Sequence, residues 1–132
     1  MTVAVVLVSH SAEVAESVAR MATGLSGGGA RVPVAAAGGA PDGGLGTDAA
    51  KIAAAAYAVD QGDGVAVLAD LGSAVLTVKT LLADEDELPP GTRLVDAPFA
   101  EGAVAAVVTA SAGADLDAVA AAAQDAYTFR KT

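Results

Sequence analysis

Short runs of apolar residues alternate along the chain with longer segments whose apolar residues recur at the helical period. This alternation is typical of a parallel α/β sheet, because a helix must return the chain between parallel strands. The first run is apolar at nearly every position, as expected of a central strand that helices cover on both faces. The predicted strands are Val3–Val8, Val32–Ala36, Gly64–Ala69 and Arg93–Asp96. We therefore expect an α/β fold with an open, mainly parallel four-stranded sheet and helices on both faces.

Five helices are predicted from the same periodicity and from capping residues. Their approximate spans are Ala12–Leu25, Thr47 to Gly62, Ser73–Ala83, Pro98 to Ala112 and Asp115–Tyr127. Each is expected to turn one apolar stripe to the core. The stripes are Val14, Val18, Met21 and Leu25 in the first helix; Ile52, Ala55, Ala56 and Val59 in the second; Leu116, Val119 and Ala123 in the fifth.

Composition narrows the classes of partner. The 132 residues carry 16 acidic and 7 basic side chains, a net charge of −9, so the overall field repels nucleic acid and acidic membranes. There is no cysteine, which excludes disulfides and zinc–sulfur sites and fits a reducing cytoplasm. The amino terminus lacks a basic leader, and its apolar run is shorter than the roughly 20 residues of a membrane span. We expect a cytoplasmic, single-domain protein without a membrane span.

Polar residues that follow the first and third strands are predicted to meet at one edge of the sheet. His10, the sole histidine, directly precedes the first turn of a helix, where free N–H groups favour an anion. If strands one and three pair, Asp70 accepts a hydrogen bond from one ring nitrogen and leaves the other as a nucleophile. Two alternatives stay open: His10 as an ordinary surface or satisfied polar residue, and Asp70 as a cap of the third helix.

The glycine-rich stretch Gly38–Gly46 is predicted to be a loop whose amides could approach a phosphate, with the hydroxyl of Thr47 beside them. It matches neither a P-loop nor a dinucleotide fingerprint, and an ordinary mobile loop before a helix cap is the alternative. A single histidine argues against histidine phosphatases and two-histidine chelatases, and Ser9 stands where the phosphatases carry arginine. A transition-metal site is not expected, whereas an all-oxygen Mg²⁺ or Ca²⁺ site stays open.

Five motifs in order carry a family resemblance over essentially the whole chain: VSHS at 8–11, GTDA at 46–49, DLGSAVL at 70–76, APFAEGAVAA at 97–106 and SAGADLD at 111–117. Together they resemble the mannose-type enzyme IIA domains of the bacterial phosphoenolpyruvate-dependent sugar phosphotransferase system. The short DLGSA loop is more similar to the phosphotransferase (DhaM-type) subunits of phosphoenolpyruvate-dependent dihydroxyacetone kinase. The resemblance implies one IIA-like phosphocarrier domain over residues 1–132.

The resemblance also implies a site and a set of partners. His10 would carry a phosphoryl group on Nε2, and Asp70 would hold Nδ1. The phosphate pocket is expected to contain Ser9, Ser11, Gly39, Gly46, Thr47, Gly72 and Ser73. No metal or permanently bound cofactor is expected, only the covalent phosphoryl group. The implied partners are phospho-HPr as donor, the ADP-binding kinase subunit as acceptor, the dihydroxyacetone-binding subunit indirectly, and a second copy of the chain in a homodimer.

Two other functions remain as alternatives. In the first, the same histidine phosphorylates enzyme IIB of a sugar transporter. In the second, the protein is a catalytically silent dimeric regulator whose pocket only senses an anion.

Overall fold

The sheet of the protein is open, four-stranded and entirely parallel. We describe it from a computed structural model that covers residues 2–27 and 29–132; Met1 and Gly28 lie outside the described residues. The strands are Ala4–Ser9 (β1), Val34–Gly38 (β2), Val65–Ala69 (β3) and Thr92–Leu94 (β4), in the spatial order β2-β1-β3-β4. The predicted fold class is confirmed.

Helices cover both faces of this sheet. They are Ala12–Leu25 (α1), Ala49–Val59 (α2), Gly72–Ala83 (α3), Phe99–Ser111 (α4) and Leu116–Asp125 (α5), followed by a 3₁₀ turn at Ala126–Thr128. One core cluster joins α1, α4 and α5 to the sheet, and the other joins α2 and α3 to its opposite face. None of the helices in the described part of the chain is long and apolar enough to cross a membrane.

Two strands, β2 and β4, differ from the prediction by more than one residue at a boundary. β2 starts at Val34 rather than Val32, because Pro33 has no N–H to give to the ladder and pairing begins after it. The strand ends at Gly38, two residues later than predicted and opposite Ser9 of β1. β4 keeps only three residues and ends at Leu94, before the predicted end. The later end of β2 brings the glycine-rich loop directly to the exit of β1.

The predicted inward face of α1 is wrong for three of its four residues, and only Val18 packs against the core. Val14, Met21 and Leu25 are exposed, while Ala15 and Ala22 are fully buried. Because alanine has no side chain beyond Cβ, the helix can lie close to the sheet on its alanine face, where larger residues would hold it away. The stripes of α2 and α5 are confirmed by the buried Ile52, Ala56, Val119 and Ala123.

Candidate functional site

His10 lies at the point where the order of the strands reverses. The chain leaves β1 toward β2 on one side, and β3 pairs with β1 on the other side. The crevice beyond the carboxyl ends of two such strands is the usual ligand position in open α/β sheets. Ser11 caps α1 by accepting a hydrogen bond from the N–H of Val14 at 3.2 Å. His10 is thus held between the end of a buried strand and a capped helix.

The carboxylate of Asp70 accepts four hydrogen bonds and fixes His10 by both its backbone and its ring. Oδ1 accepts from Nδ1 of His10 at 3.0 Å and from the N–H of Leu71 at 2.7 Å. Oδ2 accepts from the backbone N–H of His10 at 3.0 Å and from the hydroxyl of Ser9 at 2.8 Å. β1 and β3 pair as predicted. The hydrogen bond from Nδ1 to Asp70 orients the imidazole ring.

The same donors make the ionised form of Asp70 stable. Burial, the largest single influence, raises the pKa of this carboxyl. The four hydrogen bonds together outweigh burial and hold the pKa below its ordinary value of 3.8, with the backbone N–H of His10 contributing most and the Ser9 hydroxyl next. An ionised carboxylate only accepts hydrogen bonds, so Nδ1 of His10 carries the hydrogen. In the neutral ring, Nε2 is then left with a free electron pair.

Nε2 faces the first turn of α3, where it is hydrogen-bonded to the Ser73 hydroxyl. Since Nε2 has no hydrogen in this tautomer, Ser73 is the donor. The N–H groups of Gly72 and Ser73 are the first two of the helix, and within the described residues they meet no acceptor. Free amides at a helix start favour an anion. The first turn of α3, which begins with Gly72 and Ser73, therefore lies beside Nε2, and its use by a phosphate stays a prediction.

Asp70 is not the cap of α3, which removes the alternative explanation of this residue. The N-cap position belongs to Leu71, whose side chain makes no capping hydrogen bond. Both oxygens of Asp70 are directed instead at His10, Ser9 and the N–H of Leu71. The carboxylate therefore acts on the histidine.

Ser9 lies behind Asp70 rather than on the surface that a phosphate would contact. It is only 1% exposed, and its hydroxyl donates to Asp70 while accepting from the N–H of Ser11 at 3.1 Å. The contacts of Ser9 in this structure are thus with Asp70 and Ser11, and its place in a phosphate pocket stays a prediction. Ser11 lies at the site, but its hydroxyl is used by the cap of α1.

The glycine-rich loop is tied to the backbone around His10. The N–H of Gly39 donates to the carbonyl of Ser9 at 3.2 Å, and that of Gly46 donates to the carbonyl of His10 at 2.9 Å. These two amides hold the exit of β1, so their predicted use by a phosphate stays a prediction. The loop is thus more than a connection, because it fixes the main chain of the histidine.

Thr77 was missed by sequence reasoning, and Gly38, predicted to begin the glycine-rich loop, is instead the last residue of β2. Thr77 donates to the carbonyl of Ser73 at 3.0 Å and is hydrogen-bonded to the hydroxyl of Thr47, also at 3.0 Å, which links the loop to α3. Its spacing of four residues from Ser73 on a predicted helix was the available signal. A Cβ on Gly38 would lie 2.5 Å from the carbonyl oxygen of Ser11. Glycine at that strand end lets β2 approach the start of α1 closely.

A cleft of about 650 Å³ opens on the other side of Asp70, between the carboxyl ends of β3 and β4. Asp96 and Tyr127 line it and are joined by a hydrogen bond of 2.9 Å from the phenol to the carboxylate. That hydrogen bond raises the pKa of Tyr127, with burial adding to it. Lys79 also lines the cleft, so its walls carry charges of both signs.

Residues 4–120 match the family model EIIA-man, described as the PTS system fructose IIA component. The chain belongs to the EIIA-man family. The phosphoryl donor subunit DhaM of the PEP-dependent dihydroxyacetone kinase of Pantoea ananatis is 44% identical over 119 residues, which make up 86% of this chain and 24% of that protein. The corresponding subunit of dihydroxyacetone kinase 2 of Listeria innocua is 36% identical over 107 residues, 80% of this chain and 84% of that protein. This EIIA-man protein is therefore of the DhaM type.

The fold of this EIIA-man chain is also found in solved structures. The crystal structure of the unknown-function protein EF1359 superposes with a TM-score of 0.81 at 33% identity, covering 95% of each chain. The chain spans about a quarter of the length of its Pantoea ananatis relative. By contrast, the chain spans 84% of the length of the Listeria innocua subunit.

Proposed function

We propose that this protein is a phosphohistidine carrier that takes a phosphoryl group from phospho-HPr onto Nε2 of His10. It passes the group to ADP on the nucleotide-binding subunit of dihydroxyacetone kinase, and dihydroxyacetone on a further subunit is phosphorylated in turn. The observation that supports this most is the pair of His10 and Asp70, which in the neutral ring leaves a free electron pair on Nε2, beside the first turn of α3. The DhaM relatives, named as phosphoryl donor subunits, support the choice of acceptor.

The first transfer is an in-line displacement at phosphorus. The electron pair of Nε2 forms the new N–P bond, and the bond between phosphorus and the HPr histidine breaks with its electron pair returning to that nitrogen. The ring of His10 gains positive charge, because Nδ1 keeps its hydrogen. The ionised Asp70 at 3.0 Å from Nδ1 stabilises that charge. In the second transfer a terminal oxygen of ADP attacks, and the pair returns to Nε2.

The hydroxyl of Ser73 stands where the phosphoryl group must bind. Ser73 is exposed on the first turn of α3, so a change of rotamer costs little and clears Nε2. The amides of Gly72 and Ser73 then donate to the phosphoryl oxygens. These groups stabilise charge without removing a proton from water, which suits a carrier rather than a hydrolase.

Transfer of label from phosphoenolpyruvate through enzyme I and HPr tests the first step. The wild type should acquire one acid-labile phosphate on His10, located by mass spectrometry, and His10→Ala should acquire none. Label on His10→Ala would refute the proposal. The phosphorylated protein is then mixed with the ADP-bound kinase subunit or with an enzyme IIB domain. Discharge to IIB alone would favour the sugar-transport alternative, and absence of any covalent phosphate would favour an anion sensor.

We further propose a homodimer through the outer side of α1 and α4. Met21, Val108 and Phe129 line an exposed, largely apolar groove of about 520 Å³ there, and apolar grooves of this kind mark interaction sites. Sedimentation equilibrium of the wild type and of Val108→Glu tests the dimer. A wild type that sediments as a monomer would refute it. A cytoplasmic location and the absence of a bound metal or cofactor stay predictions.

A further inference from the structure

A contact between two hydroxyl groups joins the segments on either side of His10. Thr47 directly follows the glycine-rich loop, and Thr77 lies on the second turn of α3. Their hydroxyl oxygens are 3.0 Å apart, and both residues are half-buried. Thr77 gives its single hydroxyl hydrogen to the carbonyl of Ser73, because a carbonyl can only accept. Thr47 is therefore the donor to Thr77. We call this contact the threonine bridge.

The threonine bridge completes a ring of hydrogen bonds that begins and ends at His10. The N–H of Gly46, the neighbour of Thr47, donates to the carbonyl of His10 at 2.9 Å. Thr47 donates to Thr77, and Thr77 donates to the carbonyl of Ser73. The hydroxyl of Ser73 is hydrogen-bonded to Nε2 of the same histidine. The main chain of His10 is thus connected to its nucleophilic nitrogen through the start of α3.

The bridge adds a directional contact to a helix that apolar packing holds on the sheet. The residues of α3 that are buried in the core are Ala74, Val78 and Leu81. Apolar packing has no preferred direction, whereas a hydrogen bond weakens as soon as its angle or its distance changes. We therefore expect the bridge to fix the first turn of α3 beside His10 more closely than packing alone would.

Phosphoryl transfer depends on this position. The displacement is in line, and the reacting atoms must come within about 3–3.5 Å of each other. In the proposed function, the N–H groups of Gly72 and Ser73 donate to the phosphoryl oxygens while Nε2 attacks. A misplacement of 1 Å can cost about 100-fold in rate. Loss of the bridge would therefore slow the transfer, although His10 and Asp70 keep their own contacts.

We propose that Thr77 is a positioning residue for phosphoryl transfer, which holds the first turn of α3 beside Nε2 through its contact with Thr47. This inference rests on the proposed function of His10. It adds to that function a residue whose hydroxyl contacts Thr47 and Ser73 rather than the ring of His10.

The test compares Thr77→Val with a matched control, Thr80→Val, on the same helix. Valine keeps the branched shape of threonine and lacks the hydroxyl. Thr80 donates to the carbonyl of Leu76 at 3.0 Å, as Thr77 does to that of Ser73 at the same distance. Both variants therefore lose the same kind of hydrogen bond within α3, and Thr77→Val also loses the bridge. Thr77→Ser keeps a hydroxyl at this position and serves as the rescue.

Two donors are used for each protein: phospho-HPr, and phosphoramidate, a small molecule that needs no protein contact. Thr77→Val should lower the maximal rate about tenfold with both donors and leave the KM for phospho-HPr within about twofold of wild type. Thr77→Ser should recover most of the rate, and Thr80→Val should keep the wild-type rates. Thr47→Val should act like Thr77→Val, and the double variant should be no slower than either, because each removes the same bridge.

The outcomes separate this inference from the proposed function. Maximal rates of Thr77→Val equal to those of Thr80→Val, or a loss with phospho-HPr alone, would overturn the positioning role. If Thr77→Val is unfolded in urea titrations, Thr47→Val removes the bridge from its other end and decides in the same way. A wild type that phosphoramidate labels and phospho-HPr never labels would refute the proposed donor, and the phosphoramidate rates would still decide the role of Thr77. A wild type that neither donor labels would refute the carrier function and this inference with it.

Discussion

Replacement of Ser9 by alanine tests how the site is held together. The hydroxyl is buried and joins two partners: it donates to Oδ2 of Asp70 at 2.8 Å and accepts from the N–H of Ser11 at 3.1 Å. Ser9→Ala removes both contacts without introducing a larger side chain. Asp70 keeps three of its four donors, and His10 keeps its ring contact with Oδ1. The variant should therefore fold, with a looser carboxylate.

The magnitude follows from the kinds of hydrogen bond that are lost. A hydrogen bond to a charged group is worth about 1.5–3 kcal/mol, and an amide left without a partner costs about 1–3 kcal/mol when water cannot reach it. Ser11 is half-buried, so water can hydrogen-bond to its backbone N–H and offset most of that second cost. We expect the free energy of unfolding to fall by about 2 kcal/mol, or roughly 8 °C in Tm for a domain of this size.

Urea unfolding gives this free energy, and ¹⁵N NMR of the imidazole nitrogens reports the tautomer. Because His10 is the sole histidine, its ring signals need no assignment by mutation. The wild type should show the hydrogen on Nδ1, and Ser9→Ala should show a larger fraction on Nε2, with phosphorylation by phospho-HPr slowed about tenfold, equivalent to about 1.4 kcal/mol. The exposed Ser17→Ala serves as control. Equal stability and equal tautomer fractions in the two variants would refute the positioning role of Ser9.

Three further changes follow from the same contacts. Asp70→Asn should lower the free energy of unfolding at neutral pH. Because the folded-state pKa of Asp70 lies below 3.8, the difference in unfolding free energy between wild type and variant should shrink as the pH falls below that value. A difference that does not change with pH in urea titrations would contradict this. Gly38→Ala places a Cβ against the Ser11 carbonyl and should cost about 1–3 kcal/mol and slow phosphorylation. Gly24→Ala meets no atom within 4 Å on α1 and should stabilise by about 0.5–1 kcal/mol in thermal melts.

The sequence was sufficient for the parts of the fold that depend on strong local patterns. The continuous apolar run of β1 indicates a central parallel strand, and parallel strands carry their following residues to one edge. His10 and Asp70 could be paired on that basis alone, because the argument needs only the adjacency of β1 and β3. The caps Asp48 and Asp115 were likewise identifiable, and both accept the expected backbone hydrogen bonds.

The features that were not predictable depend on how closely elements approach. Periodicity places Val14 and Met21 on the face of α1 that should be buried, but the alanine face fits nearer to the sheet and is buried instead. The contact between Ser9 and Asp70 depends on whether the Ser9 hydroxyl is directed toward the end of β3 once β1 and β3 have paired. Gly38 depends on the contact between β2 and the start of α1. These are distances between segments far apart in sequence, which no local pattern encodes.

The hydrogen-bond saturation of Asp70 bears on the difference between a carrier and a hydrolase. A carboxylate that activated water would need a free oxygen lone pair directed at the water that attacks the phosphorus, and a pKa high enough to take a proton from it. Asp70 already accepts two hydrogen bonds on each oxygen, and its pKa is lowered. It can hold the ring and stabilise its charge, but it is poorly suited to remove a proton from water. A phosphoryl group on His10 would thus be kept from hydrolysis by the same contacts that orient Nε2 for transfer.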